Sequence, residues 1–217
     1  MFITFEGPEG SGKTTQLRLL ADTLEAAGHP VVCTREPGGT PVAESIRALA
    51  LHETLAPEAE LLLFLAARAE HVAVCIRPAL EQGRIVLCDR FTDSTVAYQG
   101  YGLGLGLAEL RRLCAFAAGG LTPNLTLLLD LDPELGLRRR FAAAEDGASD
   151  PGSVNRMEQR QIAFHRRVRD GFLREAEHAP GRVCKIDAGR PPADVQADIW
   201  RVVSERVHTV HPMEGVQ

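Results

Sequence analysis

A loop of the phosphate-binding type stands near the beginning of the chain. Residues 7–14 read GPEGSGKT and fit the pattern G-x-x-x-x-G-K-[ST], between an apolar run at Phe2–Phe5 and a helical pattern of leucines. In that setting the loop N–H groups bind phosphate oxygens, Lys13 contacts the β- and γ-phosphates of a nucleotide, and the Thr14 hydroxyl ligates Mg²⁺. The residues predicted to bind ATP here are Gly7, Pro8, Glu9, Gly10, Ser11, Gly12, Lys13, Thr14 and Thr15.

The choice of basic residues supports this prediction. Of the 24 basic residues 22 are arginine, and the two lysines are Lys13 and Lys185. A compact ammonium group fits among phosphates, where the broad planar fork of arginine substitutes poorly. A sequence so strongly biased towards arginine thus has a lysine at the position where a nucleotide-binding loop needs one.

Charged residues also follow other predicted strands. Asp89 ends a strand and can hold a magnesium-bound water, but Asp130 in LLLDLD is a rival that the motif shape does not separate from it. Arg35 and Arg90 follow two strand ends, so that a second phosphate can lie between their guanidinium groups. A surface salt bridge is the alternative for each arginine taken singly.

The elements that position these residues alternate between strands and helices. After the first strand and helix, we predict strands at 30–34, 84–89, 124–130 and 182–187, and helices at 42–52, 57–82 (kinked near Pro78), 107–118, from Pro133, 155–178 and 194–207. This alternation predicts an α/β fold in three layers, with a parallel sheet covered by helices on both faces. Ligands bind beyond the carboxyl ends of such strands. We therefore expect the glycine-rich loop, Arg35–Thr40, Asp89–Arg90 and Asp187–Ala188 at one edge, with Asp187 and Ala188 beside ATP.

The length of 217 residues suits a single domain, which we place at 1–207. Residues 142–154 (AAAEDGASDPGSV) are small and polar, and their composition predicts a mobile flap within a lid at about 138–156. Residues 208–217 show no pattern and are predicted to form a mobile tail.

Composition narrows the function classes. A formal net charge of −5 argues against binding to nucleic acid or to an anionic membrane surface. We see no run of transmembrane length and no leader pattern at Met1. The five cysteines are scattered, which indicates reduced buried thiols and a cytoplasmic location, with no metal or redox role.

Five segments together carry a resemblance to a known family. In order, they are EGPEGSGKTTQ, TREPGGT, FLAARAEH, DRFTDSTVAYQG and PNLTLLLDLDPELGL. From Met1 to about Ile199 the chain resembles the thymidylate kinases (dTMP kinases), which are P-loop nucleoside monophosphate kinases. The resemblance implies a P-loop NTPase fold with a five-stranded parallel sheet, Mg²⁺- and ATP-dependent phosphorylation of dTMP to dTDP in dTTP synthesis, and a homodimer.

The resemblance also implies roles at the acceptor phosphate and the sugar. Glu9 faces the 3′-hydroxyl of the deoxyribose, and Arg35 and Arg90 hold the phosphate of dTMP in a pocket shaped by the REPGG turn, with Pro37 and Gly38. The stretch that lines the sugar and the base is Ser94, Thr95, Tyr98 and Gln99, in which Tyr98 crowds the 2′ position.

For the base, the resemblance implies that Phe64 stacks on thymine and that Arg68 donates to its 4-carbonyl. Their spacing of four residues puts both side chains on one helix face. The alternative is that Arg68 pairs with Glu60 or another acid on the helix surface.

A catalytic arginine in a short basic lid is a further implication. Here arginines cluster before the flap, at Arg138, Arg139 and Arg140, and after it at Arg156, while the flap itself is acidic. Which of them reaches the transferred phosphoryl group stays open. The candidate catalytic residues are Lys13, Glu9, Arg90, Arg140 and Arg156, and the candidate metal ligands are Thr14 and Asp89.

Two other functions remain as alternatives. One is a P-loop kinase for a different nucleoside monophosphate, and the other is an ATP-dependent switch protein. A switch needs no second anion site, whereas Arg35 and Arg90 are typical of one.

Overall fold

The computed structural model describes residues 1–145, 158 and 160–210. It contains the strands β1 (Phe2–Glu6), β2 (Val31–Arg35), β3 (Ile85–Asp89), β4 (Leu125–Asp130) and β5 (Val183–Asp187). These strands form one parallel sheet in the order β2-β3-β1-β4-β5. The prediction of a five-stranded parallel sheet is confirmed.

The sheet is most apolar at its centre. Strand β1 is buried along its whole length, whereas the edge strands β2 and β5 have exposed positions. Central strands of a parallel sheet are covered on both faces, and they therefore carry continuous apolar runs. The end of β1 lies between the ends of β3 and β4, since Phe5 pairs with Asp89 and Glu6 pairs with Leu128. The loop after β1 thus occupies the middle of the carboxyl edge.

Helices cover both faces of the sheet. They are α1 (Lys13–Ala26), α2 (Pro41–His52), α3 (Pro57–His71), α4 (Arg77–Glu81), α5 (Thr92–Thr95), α6 (Leu107–Ala117), α7 (Pro133–Glu145), α8 (Ile162–His178) and α9 (Pro192–Val210). On one face, leucines of α1 and valines of α9 pack against β1, β3 and β4. On the other face, Phe2 and Leu128 contact separate clusters, which include residues of α4 and α8. The fold therefore has three layers, as predicted.

Two π-helical segments differ from the predicted helices. The predicted helix at 57–82 is divided, because a π-helical segment, Val72–Ile76, separates α3 from α4. Pro78 has no N–H to donate and its ring crowds the preceding turn, which explains a wider turn just before it. A second π-helical segment, Val96–Gly102, follows α5 in a glycine-rich stretch for which we predicted no helix. A Cβ on Gly102 would lie 2.6 Å from the Phe164 ring, so glycine here permits close packing with α8.

Three predicted boundaries are wrong in the second half of the chain. The helix predicted at 155–178 begins at Ile162, and the closing helix extends beyond 194–207 to Pro192 and Val210. Residues 208–210 are therefore helical, and the rest of the predicted tail lies outside the described residues. Residues 142–145 of the predicted flap belong to α7, while 146–154 also lie outside them. No helix in the described part of the chain is long and apolar enough to cross a membrane.

Candidate active site at the carboxyl edge of the sheet

A cavity of about 810 Å³ opens at the carboxyl edge of the sheet. It brings together most of the residues that we predicted for the site. The predicted residues that line it are Glu9, Gly10, Gly12, Lys13, Thr14, Thr15, Arg35, Pro37, Phe64, Arg68, Asp89, Arg90, Ser94, Thr95, Tyr98, Gln99 and Arg140. Gly7, Pro8 and Ser11 contribute through the backbone and hydrogen bonds of the same loop.

The glycine-rich loop has the compact backbone that its sequence predicts. Gly10 has a φ of 66°, and a Cβ there would lie 2.0 Å from the carbonyl oxygen of Gly136, so that only glycine fits. Helix α1 begins at Lys13, which directs the positive end of its dipole towards the loop. This geometry is typical of a phosphate-binding site.

Lys13 folds back over the loop. Its Nζ donates to the carbonyl oxygens of Gly7 and Pro8, at 3.1 and 2.8 Å. Burial lowers the pKa of Lys13 to about 8, and Arg90 acts in the same direction, while Glu9 opposes the change. The ammonium group is thus held by weak neutral acceptors, for which the oxygens of a phosphate are stronger replacements.

The two predicted metal ligands lie side by side. The Thr14 hydroxyl donates to Asp89 Oδ2 at 2.6 Å, whereas the rival Asp130 accepts two hydrogen bonds from Arg169, at 2.7 and 3.2 Å. Asp130 is therefore occupied by an ion pair, and the geometry favours Asp89. A hydroxyl and a carboxylate suit Mg²⁺, which binds few protein ligands and keeps waters and phosphate oxygens. Thr14 and Asp89 therefore fit this ion.

Arg90 lies at the junction of the predicted sites. Its guanidinium donates to Gly7 O at 3.2 Å, to Ser94 Oγ at 3.1 Å and to Glu9 Oε1 at 2.9 Å, and it lies over the Tyr98 ring. Its backbone φ is 74°, a left-handed conformation that is unfavourable for arginine. Such a strained backbone at a cavity wall is typical of a functional position.

A buried acid that we did not predict supports Arg90. Glu6 accepts hydrogen bonds from the backbone N–H groups of Phe91 and Ser94, at 2.7 and 3.2 Å, and from the Ser94 hydroxyl. Burial and the neighbouring Asp93 raise the pKa of Glu6 to about 8. Its position at the end of an apolar strand was the only signal in the sequence. Glu6 fixes the turn that aims Arg90 into the cavity.

Arg47 is a second residue that we did not predict. It extends from α2 to the cavity and donates to Pro37 O at 2.8 Å. Burial lowers its pKa, and the charges of Arg35 and Arg90 add to that effect. The predicted Arg35 is instead 52% exposed and pairs with Glu44 at 3.0 Å. Gly38 is buried within the turn, where a Cβ would lie 2.5 Å from Glu44 Oε1, and it does not line the cavity.

At the far end of the cavity, Arg68 is buried among acceptors. Its Nε donates to Glu36 at 2.8 Å, and its Nη2 donates to Phe91 O at 3.0 Å and to Thr95 Oγ1 at 2.9 Å. The alternative pairing with Glu60 is wrong, because Glu36 is the acid that Arg68 contacts. These bonds fix the guanidinium at the cavity wall that Phe64 also lines.

The lid arginines separate into different positions. Arg140 lines the cavity and pairs with Glu158 at 2.7 Å, while Arg138 is exposed. Arg139 donates to Ala188 O at 3.0 Å and so connects α7 to the turn after β5, where Asp187 is exposed. Asp187 and Ala188 lie at the predicted edge but do not line the cavity. Arg156 lies outside the described residues.

We predict that Glu9 contributes stability that is lost only in strong acid. Burial opposes its ionisation, but Arg90, Lys13 and the Tyr98 hydroxyl outweigh burial and lower its pKa from 4.5 to about 2. A carboxyl group with a lowered folded-state pKa stabilises the fold above its unfolded pKa, and this contribution disappears as the pH falls through the folded value.

The difference in free energy of unfolding between the wild type and Glu9→Gln should therefore be constant at neutral pH and shrink from pH 4.5 to about 2. Urea unfolding at a series of pH values measures it, and the subtraction removes the contributions of other acids. If this difference in the free energy of unfolding stayed constant down to about pH 2.5, the ion pair between Glu9 and Arg90 would be contradicted.

The comparisons agree on one family. A family model described as thymidylate kinase matches residues 5–199. A protein named thymidylate kinase from Deinococcus radiodurans is 52% identical over 210 residues, which cover 96% of this chain and 98% of that protein. One of the same name from Thermomicrobium roseum is 54% identical over 205 residues, 94% of each chain. The crystal structure of thymidylate kinase from Ehrlichia chaffeensis aligns with a TM-score of 0.74 at 38% identity, covering 94% of this chain and 98% of that one.

Proposed function

The chain belongs to the thymidylate kinase family, and on this premise we propose that it transfers the terminal phosphoryl group of ATP to dTMP, forming dTDP on the route to dTTP. The observation that carries the proposal is that one cavity contains both a phosphate-binding loop and a separate arginine pair, Arg47 and Arg90. Two adjacent anion sites fit a reaction between two phosphates. A switch that only hydrolyses ATP needs one of them.

Positioning and charge account for most of the catalysis in this proposal. A monophosphate oxygen is already ionised near neutral pH, so the site needs no strong general base. The loop and Lys13 hold the phosphates of ATP, and Arg90 holds the acceptor phosphate next to them. Holding the acceptor phosphate in line with the terminal phosphate of ATP lowers the barrier to transfer, because the translational and rotational entropy is already lost when the two substrates bind. Arg90 and Lys13 also stabilise charge on the transferred group.

The proposed ligands of Mg²⁺ are Thr14 and Asp89, and the ion supplies positive charge at the phosphates of ATP. Arg139 and Arg140 both line the cavity, but Arg139 donates to Ala188 O in the turn after β5. Arg140 is our proposed lid arginine among the described residues, since its partner Glu158 is buried and also lines the cavity. Arg156 remains a candidate by its sequence position alone.

Glu9 and Tyr98 form the proposed sugar site. The Tyr98 hydroxyl donates to Glu9 Oε1 at 2.8 Å, and its ring packs edge-on against Phe164 and Phe172, with centroids 6.1 Å away in each case. The ring therefore has little freedom to move aside for a 2′-hydroxyl. Glu9 has a second carboxylate oxygen with which it can accept from a 3′-hydroxyl.

A panel of substrates tests the proposed function. ADP formation, followed by a coupled assay with each nucleoside monophosphate in turn, should give the highest kcat/KM for dTMP. Preference for another monophosphate would indicate a different kinase of this fold. ATP turnover that no monophosphate accelerates would favour the switch.

The positions of Arg35, which begins the REPGG turn, and Arg47, on the helix that follows it, predict unequal roles. Arg47→Ala should raise the KM for dTMP by about tenfold or more, because a partly buried guanidinium at an anion site is lost. Arg35→Ala should change it by less than about threefold, because Arg35 forms an exposed pair with Glu44. Steady-state kinetics of both variants compare the two positions directly. A larger effect at Arg35 would make Arg35 the main arginine at the acceptor phosphate and would contradict this prediction.

We also propose a homodimer and a cytoplasmic location. Large apolar side chains are exposed on two helices that contact each other, Leu62 on α3 at 60% and Phe116 on α6 at 86%. An apolar face of this kind is typical of a subunit interface, and the mass of the protein in solution measures it. Free cysteines in the described chain fit a reducing compartment.

A further inference from the structure

A buried acid stands behind the base end of the cavity. Glu60, in the first turn of α3, has no exposed surface, and it accepts a hydrogen bond from Gln99 Nε2 at 2.8 Å. Its other oxygen lies 3.5 Å from Arg160 Nη2. Gln99 lines the cavity and is itself almost fully buried, whereas Glu60 does not reach the cavity. Glu60 can therefore act on a ligand through Gln99 without contacting the ligand itself.

The chemistry of the two side chains fixes which way the amide of Gln99 faces. A carboxylate offers only acceptors, while an amide has a donor end and an acceptor end. The NH₂ group of Gln99 must face Glu60, because the opposite orientation would bring two acceptor oxygens together in a buried place. The carbonyl oxygen Oε1 is then directed away from Glu60, and within the described part of the chain no donor reaches it.

We propose that Glu60 is a positioning residue that sets base selection, by holding Gln99 with its carbonyl oxygen available to a hydrogen on N3 of the pyrimidine. Thymine and uracil carry a hydrogen on N3, whereas cytosine has a lone pair there. A fixed carbonyl oxygen at Gln99 accepts a hydrogen bond from thymine or uracil and repels the lone pair on N3 of cytosine. This selection adds to that of Arg68, which acts at position 4. The inference rests on the proposed function and names one determinant of its substrate choice.

The test replaces the acid by its amide. In Glu60→Gln the new side chain keeps its carbonyl oxygen near Arg160, so that its NH₂ group faces Gln99. Gln99 then turns its own carbonyl towards that NH₂ group and presents a donor to the cavity. The probe is the deoxynucleotide of 5-methylpyrimidin-2-one, which has an acceptor at N3 and only a hydrogen at C4. It differs from dTMP at N3 and at position 4, but it places no donor in front of Arg68. The loss of the 4-carbonyl is common to the wild type and the variant, so a change in the ratio between substrates reports on N3.

We expect the ratio of kcat/KM for dTMP to kcat/KM for this analogue to fall by about tenfold or more in Glu60→Gln. Glu58→Gln, an exposed position in the same turn of α3, is the matched control and should leave the ratio unchanged. If kcat/KM falls by the same factor for both substrates, Glu60 is only structural and the proposal is overturned.

A second variant covers the case in which Glu60→Gln does not fold. Glu60→Met removes the buried acid and leaves the amide of Gln99 without a fixed orientation. Its other partner, Arg160, is 26% exposed, so that this guanidinium keeps contact with solvent when Glu60 is lost. The ratio should fall there as well, and an unchanged ratio overturns the proposal. A wild type that does not phosphorylate dTMP would refute the proposed function, whereas an active wild type with an unchanged ratio in the variants refutes only this inference.

Discussion

Lys13→Ala should reduce kcat by about 10³-fold or more while the affinity for dTMP changes by less than about threefold. Lys13 is buried in the glycine-rich loop, where its ammonium group is held by the carbonyl oxygens of Gly7 and Pro8. Because those acceptors belong to the phosphate-binding loop, the ammonium group of Lys13 lies where the phosphates of ATP bind. Removing it takes away a cation at the phosphates of ATP but no group that contacts the acceptor.

Calorimetry with dTMP and steady-state kinetics measure the two quantities separately. Lys185→Ala is the matched control, because the second lysine of the chain lies exposed on β5. It should leave kcat and affinity unchanged. A folded Lys13→Ala variant that has lost dTMP binding would mean that the two phosphate sites have been assigned wrongly.

Arg90→Ala should lower kcat by about 10³-fold and should also weaken dTMP binding, which distinguishes it from Lys13→Ala. Arg90 contacts the loop through Gly7 O, the predicted sugar site through Glu9 and the following helix through Ser94. It is the side chain that joins the donor and acceptor ends of the cavity. Arg90→Lys should recover little activity, because an ammonium group cannot form these bonds in the geometry of a planar fork.

The control for Arg90 lies at the other end of the same strand. Arg84 directly precedes β3 and is exposed, whereas Arg90 directly follows it. Arg84→Ala should keep full activity, and thermal unfolding of both variants separates loss of activity from loss of fold. Normal dTMP affinity in Arg90→Ala would contradict the assignment of Arg90 to the acceptor phosphate.

The parts of this protein that could be predicted from sequence are those encoded by neighbouring residues. The glycine-rich loop needs its glycines, Lys13 and Thr14 within eight positions, and the apolar runs of the central strands determine the sheet. The loop lies at the centre of the carboxyl edge because β1 pairs with both β3 and β4. From the alternation of strands and helices we could predict that the site lies at the carboxyl edge of a parallel sheet, but not the order of the strands in that sheet.

The residues that sequence reasoning missed act across long separations in the chain. Glu6 looks like the last residue of an apolar strand, and its partners at Phe91 and Ser94 become visible only in the folded structure. Arg47 has the sequence context of a helix-surface arginine, and only the turn at Pro37 brings it to the cavity. Arg35 was predicted from its position at a strand end and does line the cavity, but its exposed ion pair with Glu44 on α2 could not be seen from the sequence.

The segment Val96–Gly102 is a further case. Its glycines indicate a loop, yet it forms a π-helical turn that packs against α8 and places Tyr98 and Gln99 on the cavity wall. Tertiary packing outweighs local propensity there, because Gly102 lies against Phe164 where a larger residue would clash. The role of the flap predicted at 142–154 stays a prediction from composition, and that of Arg156 stays a prediction from its sequence position.

The most direct test of the account follows the phosphoryl group itself. ATP labelled with ¹⁸O in its terminal phosphoryl group is incubated with the protein and an equimolar mixture of nucleoside monophosphates, and the products are analysed by mass spectrometry. The account predicts that the label appears first and predominantly in the β-phosphoryl group of dTDP, with no labelled inorganic phosphate at early times. Label in inorganic phosphate while dTMP stays unchanged, or in the diphosphate of another nucleoside before dTDP, would contradict it.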